Sequence, residues 1–248
     1  MSGREGAQDG AGKGRRSAPS PDFVAPLGRE NLAARAYEEL RRALFEGRLR
    51  PGQRLKVRAL SAAMQVSETP VREAMMQLVR DRVLRQEAAR AITVAGLTLD
   101  QYLELQTIRM ELEGLAAEGA ALRIAPAAIE ALAACHVAHA TAEAREDGAA
   151  ANRANWEFHH GLYAAAGMPE LLLIIEGLWL RCGPLHAYLY PDAPPSYPGR
   201  HRHLDILDAL RAKDMVATRK AVEADLTEGG ANLVALLDRM EQAATPRQ

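Results

Sequence analysis

The sequence predicts a mainly α fold: two short helices joined by a tight turn near residue 65, a small two-stranded β wing, then an antiparallel all-α bundle of about six helices. Three observations carry that prediction. Leu55–Leu78 places apolar residues at helical spacing on both sides of Gln65-Val66. Short β-like runs follow at 83–86 and 91–95. From Leu97 onward, long amphipathic stretches are separated only by Pro, Gly and polar capping residues, without strands between them.

Taken in order, residues 1–28 are rich in Gly, Ser, Pro and charge with little to bury, which predicts disorder. A helix is expected from about Asn31 to Phe45, with Leu32, Ala36, Leu40 and Leu44 on one stripe and a stop at Gly47. Pro51-Gly52 makes a turn. In the first helix of the pair, Leu55, Ala59, Leu60, Ala63 and Met64 form the apolar face. Ser67 is a good N-cap for the second, since its hydroxyl can accept from a free backbone N–H. Pro70 in the first turn loses no hydrogen bond, because amides there have no intrahelical partner. Val71, Met75 and Leu78 face inward, leaving Glu68, Thr69, Arg72 and Met76 outside. A short helix presenting polar residues at its N-terminus is how a helix-turn-helix puts side chains on base edges in a major groove.

The bundle helices follow from their caps. Thr98 or Asp100 starts one that runs to about Leu122, and Pro126 opens the next, to about Arg145. A third covers Ala149–Ala166 and stops at Gly167. Pro169 opens a fourth, to about Tyr188. The prolines of 190–199 require a loop. The last two, about Arg200–Ala212 and Asp214–Met240, meet at Lys213-Asp214.

Composition narrows the function classes. No apolar run approaches the length of a membrane span, and the N-terminus has no signal-peptide pattern, so a cytoplasmic location is expected. Cys135 and Cys182 are too far apart for a CxxC site and read as reduced thiols. The net charge of −1 hides an asymmetry: residues 1–96 hold 18 Lys/Arg against 11 Asp/Glu, and the remainder 13 against 21. A basic front half suits a polyanionic partner, and an acidic back half is kept off it.

The run EELRRALFEGRLRPGQRL, then Leu60, then VSETPVREAMMQL, resembles the winged-helix domain of GntR-family bacterial transcription regulators. A winged helix followed by an all-helical bundle is similar to the FadR-type (FCD) subgroup, whose bundle senses an effector and dimerises. The resemblance implies an N-terminal winged helix-turn-helix over residues 29–96 and an FCD-like domain over residues 97–248. It also implies that Arg58, Ser67, Thr69 and Arg72 contact an operator in double-stranded DNA. An arginine can donate two bonds to guanine O6 and N7, while hydroxyls suit phosphates. Two positions depart from the family pattern. Glu68 stands where many relatives carry arginine, and a carboxylate can accept from cytosine N4 but repels phosphate. Arg90 stands where the wing often has glycine. Together they imply an altered base preference or a wing that grips phosphate.

A metal site is suggested inside the bundle. Asn155 and His159 lie four apart in NWEFHHGLY and share a helix face. His203 and Asp225 are 22 apart across the turn at 213, which brings them level on an antiparallel hairpin. Mixed nitrogen and oxygen donors suit zinc, nickel, manganese or iron. The subgroup often carries an Asp and three His here, so the resemblance implies a divalent ion held by Asn155, His159, His203 and Asp225. A hydrogen-bonded polar core is the alternative. His136, His139, His160, His186 and His201 fit no such spacing and read as surface or packing residues.

Arg109, in IRMELEG, matches a subgroup arginine facing the ligand cavity, and a guanidinium there holds a small carboxylate bidentately. Its alternative is an i,i+4 pair with Glu113. Arg181 is a second candidate for the same task. The reading is a homodimeric DNA-binding regulator controlled by a small organic acid, not an enzyme. Its rivals are a metal-dependent enzyme using the bundle cluster, and a constitutive DNA binder that has lost its ligand.

Overall fold

Helix α1 (Leu32–Phe45) opens the computed structural model, which describes residues 32–87 and 91–244. The expected tail, residues 1–28, lies outside the described residues. Ala36, Leu40 and Leu44 of α1 are buried against α3, as their spacing requires, while Leu32 stays partly exposed at the helix start. The helix ends through Gly47 at φ 71°, where a Cβ would lie 2.8 Å from the His186 carbonyl oxygen. Only glycine suits both that backbone and that approach.

The helix pair is α2 (Val57–Met64) and α3 (Glu68–Arg80). Its turn rests on Gln65 in the left-handed region, at φ 55°, with the Val66 amide donating to the Ser61 carbonyl. Val71, Met75 and Leu78 are fully buried. The α2 face differs from expectation. Ala59 and Ala63 are exposed, and the helix packs through Ser61 with half-buried Val57, Leu60 and Met64. Leu55 is not helical at all: it is buried in strand β1 (Arg54–Leu55). Met76 is half-buried rather than outward.

The wing also gains a strand. β2 (Leu84–Gln86) and β3 (Ile92–Val94) form the expected antiparallel pair, with Leu84 opposite Val94. β1 then adds to the free edge of β3, Leu55 opposite Ile92, so the sheet order is β1-β3-β2. Two residues give too weak a periodic signal to be read as a strand, and only the Pro51-Gly52 turn beside them marks the place.

The bundle starts at α4 (Leu99–Arg123), with Thr98 and Gln101 forming a reciprocal capping box. α5 (Pro126–Ala144) and α7 (Pro169–Cys182) each begin on the proline that predicts them. α6 (Gly148–Ala164) is capped by Asp147, and α9 (Arg202–Ala212) turns into α10 (Met215–Gly229) at Lys213. Two expected helices are broken. The fourth ends at Cys182, passes through a 3-10 turn at Gly183–Leu185 and resumes as α8 (His186–Leu189), because Pro184 has no N–H and its ring clashes with an α-helical path. The last divides at Gly230 into α10 and α11 (Ala231–Ala244). Gln106 Nε2 donates to the Leu226 carbonyl at 2.8 Å, taking the acceptor that a continuous helix would give to residue 230.

α1 joins the two parts, touching α3 on one side and α6, α7 and α8 on the other. Neutral His186, held down to about 4 by burial and by Arg109, donates from Nδ1 to the Phe45 carbonyl at 3.1 Å. Asn152 reaches the Glu46 and His186 carbonyls, and Arg153 pairs with the Glu46 carboxylate at 3.1 Å. The C-terminus of α1 is thereby tied to the bundle by polar contacts that have fixed directions.

Candidate nucleic-acid interface and bundle pocket

Burial on α3 separates two jobs along one helix. Val71, Ala74, Met75 and Leu78 hold it to the core, and Ser67, Glu68, Thr69 and Arg72 stand exposed on its first two turns. Ser67 occupies the N-cap, but its hydroxyl makes no capping bond. Arg72 sits one turn on from Glu68, with Nη2 at 3.5 Å from its carboxylate, a loose solvent-exposed pair. Arg58 is exposed on the first turn of α2. Ser67, Glu68, Thr69 and Arg72 therefore cluster at the N-terminal end of one helix, where free amides and the helix dipole favour phosphate. Arg90 lies outside the described residues.

The bundle pocket is lined by residues of α4, α6, α7 and α10, among them Arg109, Asn155, His159, Trp179 and Asp225. His159, His203 and Asp225 are all buried, with one donor atom from each within 4.8 Å of the others. His159 Nε2 lies 3.1 Å from Asp225 Oδ2 and 3.2 Å from His203 Nε2. Asn155 lines the same pocket but is only half-buried. Three of the four residues singled out by spacing thus meet, and the fourth lines the pocket together with two of them, His159 and Asp225.

Hydrogen bonds set the orientation of the His159 ring. Glu113, wholly buried, accepts from the Tyr163 hydroxyl, and that hydroxyl in turn accepts from His159 Nδ1 at 3.0 Å. Nδ1 therefore carries a proton, and Nε2 is the atom turned towards His203 and Asp225. A carboxylate behind a ring N–H is the arrangement that fixes the tautomer of a metal-binding histidine. Burial raises the pKa of Asp225, but hydrogen bonds from His159 and Tyr197 outweigh it and hold the carboxyl below its usual range. Two imidazole nitrogens and a carboxylate oxygen fit a divalent cation.

Arg109 meets both descriptions given for it. Its Nε donates to Glu113 at 2.6 Å, and the guanidinium also lines the pocket, 4.5 Å above the Trp179 ring. Burial alone lowers its pKa, but the adjacent Glu113 carboxylate more than reverses that and keeps it charged. Arg181 must be corrected. It does not line the pocket: its Nη1 donates at 2.6 Å to the Arg82 carbonyl, beside the wing. Arg109 and Arg181 are both on helices of this bundle, but 181 falls on the face turned to the N-terminal part.

Matches to known proteins cover both parts. The model for "Bacterial regulatory proteins, gntR family" matches residues 32–94, and the FCD domain model matches residues 104–228. The transcriptional regulator McbR of Escherichia coli K12 is 33% identical over 76% of this chain and 86% of its own length. This chain belongs to the GntR family, with an FCD domain. Among solved structures, E. coli McbR/YncC superposes with a TM-score of 0.77 at 30% identity, covering 86% of this chain and all of that one. A GntR transcriptional regulator from Rhodococcus sp. RHA1 reaches 0.68 at 24% identity over 88% of this chain, a likeness of fold. These relatives are regulators, not enzymes, and this GntR chain is read as a transcription regulator accordingly.

Several residues of the pocket region escaped the sequence reading. Tyr163 and Tyr197, which hold His159 and Asp225, gave no sign beyond four-residue spacing in the first case. His136, His139 and His201, read as surface or packing residues, pack with one another and with His203. Their rings stand within 5.1 to 5.6 Å of one another or of His203. The i,i+3 spacing of His136 and His139 was the available signal. His160 and His186 lie elsewhere, against Glu176 and the Phe45 carbonyl.

Proposed function

We propose that this GntR regulator binds a roughly palindromic DNA operator as a cytoplasmic homodimer, and that a small carboxylate in the bundle pocket controls its affinity. The observation that carries the DNA reading is the exposure of Ser67, Glu68, Thr69 and Arg72 at the start of a helix whose opposite face is fully buried, with Arg58 exposed on the helix before it. Two-fold symmetry follows from one recognition helix covering one half-site. Dimerisation is supported by Ile108, Leu115 and Leu122, which recur every seven residues along α4 and remain 38%, 42% and 56% exposed. Among the described residues no helix is long and apolar enough to cross a membrane. A random-oligonucleotide selection with the purified chain is expected to return a single two-fold site, weakened or tightened by candidate carboxylates. A pool that shows no sequence preference under any of these conditions sinks the reading.

His159, His203 and Asp225, with Asn155 alongside, are the residues that would hold a divalent ion. Bound there, the ion supplies a positive anchor for a carboxylate. Arg109 keeps its guanidinium in the same pocket, although Glu113 already takes two of its donors. From the pocket, Trp179 contacts Trp156, which stacks on Phe45 at 4.6 Å, the last residue of α1. A ligand pressing on Trp179 would thus act on the helix that carries the DNA-binding part, a coupling between separate sites. Untagged protein purified without chelator is expected to carry about one ion per chain, and His203→Ala is expected to empty it. A well-folded native chain without metal would leave only a polar cavity.

A further inference from the structure

The inner group accounts for one nitrogen of His203, and the other points to something else. His203 is carried on α9, which packs on α5, and there it meets His136 and its own neighbour His201. Each of the three rings offers a nitrogen within 4.8 Å of the others. Each also has a buried nitrogen with no hydrogen-bond partner: His136 Nδ1, His201 Nε2 and His203 Nδ1. Three orphaned imidazole nitrogens in one cluster are unusual, because buried polar atoms are nearly always satisfied.

Either nitrogen of the His203 ring can present a lone pair, because a neutral imidazole has two tautomers. Tyr163 donates to Glu113, His159 Nδ1 donates to Tyr163, and His159 Nε2 lies 3.1 Å from Asp225 Oδ2 and 3.2 Å from His203 Nε2. In the tautomer of neutral His203 protonated at Nε2, the unpartnered Nδ1 carries the lone pair. Phe158 stacked at 3.8 Å fixes the His203 ring plane.

We propose that His136, His201 and His203 form a second, outer metal position, an all-imidazole site for a borderline divalent ion such as Ni²⁺, Cu²⁺ or Zn²⁺, sharing His203 with the inner group. A neutral imidazole has one lone pair, so the two positions are filled in alternation. The ion at the outer site uses Nδ1 while the proton sits on Nε2, and the ion at the inner site uses Nε2 while the proton sits on Nδ1. No net proton is gained or lost at His203 between the two states. His201 Nδ1 accepts the His203 amide at 3.1 Å, so ligation through Nε2 moves its proton to Nδ1 and gives up that cap. The outer site is therefore the weaker. His136 and His201 are half-buried where the inner three are fully buried, which makes the outer site the one closer to solvent. The proposal stands on these three rings whether or not the inner position is filled.

The test uses the full, untagged chain, stripped with chelator and titrated with Ni²⁺ by calorimetry. His159→Gln with Asp225→Asn replaces the inner imidazole and carboxylate with weakly ligating neutral amides while keeping side-chain volume, and this variant is expected still to bind one Ni²⁺ per chain. Adding His136→Ala is expected to weaken that binding by at least roughly tenfold, the scale of losing even an outer-shell partner. If the double variant loses its helical dichroism, Asp225→Asn alone takes its place with the same His136→Ala comparison. A folded inner-site variant that takes up no Ni²⁺, or one indifferent to His136→Ala, overturns the outer site. Failure of the inner-site reading looks different: His136→Ala with His201→Ala in the otherwise native chain would then bind no ion.

Discussion

Arg72→Ala is expected to cost about 1–3 kcal/mol of operator binding, a loss of roughly 5- to 150-fold, and to relax base preference at the position it reads. The arginine is exposed on the second turn of α3, and among the described residues its charged partner is Glu68 at 3.5 Å. Such a surface pair contributes about 0–1 kcal/mol, so the guanidinium leaves it at little cost for a guanine edge. None of the core of α3 is disturbed, because Val71 and Met75 on either side point the other way. Urea stability should therefore stay within about 0.5 kcal/mol of the native value. Fluorescence anisotropy on the selected operator at moderate salt measures the first effect and a denaturation curve the second. Unchanged affinity and base preference would remove Arg72 from the interface.

Glu113→Ala is expected to be the most damaging single change in the bundle, at about 3–5 kcal/mol, because it strands a buried charge. Glu113 has no solvent exposure. It accepts from Arg109 Nε at 2.6 Å and from the Tyr163 hydroxyl. Without it, the buried Arg109 guanidinium has no counter-charge and Tyr163 has no acceptor. For a chain of this size each kcal/mol lowers Tm by about 2–4 °C, so a fall of roughly 6–20 °C should appear in a melting scan. Loss of the carboxylate also releases the His159 ring, and divalent-ion affinity should drop by about 10- to 100-fold in calorimetry. A Tm within a degree or two of native would mean that the Arg109–Glu113 pair is not the strut described above.

The same contacts decide how the two halves communicate. Trp179 lies under Arg109 and against Trp156, and Trp156 stacks on Phe45. Asn152 and His186 hold the carbonyls at the end of α1. The proposed effector pocket and the DNA-binding part thus share one connecting helix end, held by aromatic stacking on one side and directed hydrogen bonds on the other.

What could be read from the chain alone were the features that depend on near neighbours. Helical spacing gave the buried faces of α1 and α3, Pro126 and Pro169 marked two helix starts, and Thr98 or Asp100 marked a third, which the structure caps at Thr98. Even the meeting of His203 with Asp225 was legible, since a turn at Lys213 and a constant rise per residue fix which positions come level. Other features wait on which faces meet in three dimensions. Gln106 breaks a helix 120 residues away by taking the Leu226 carbonyl, and β1 becomes a strand because β3 offers it an open edge. Arg181 turns to Arg82 rather than the pocket, and His136 and His201 join His203 through the packing of α5 on α9. Periodicity and capping are short-range and leave their mark within a few residues, whereas a hydrogen bond or a ligand cluster assembled from distant helices has no local signature until packing brings its parts together.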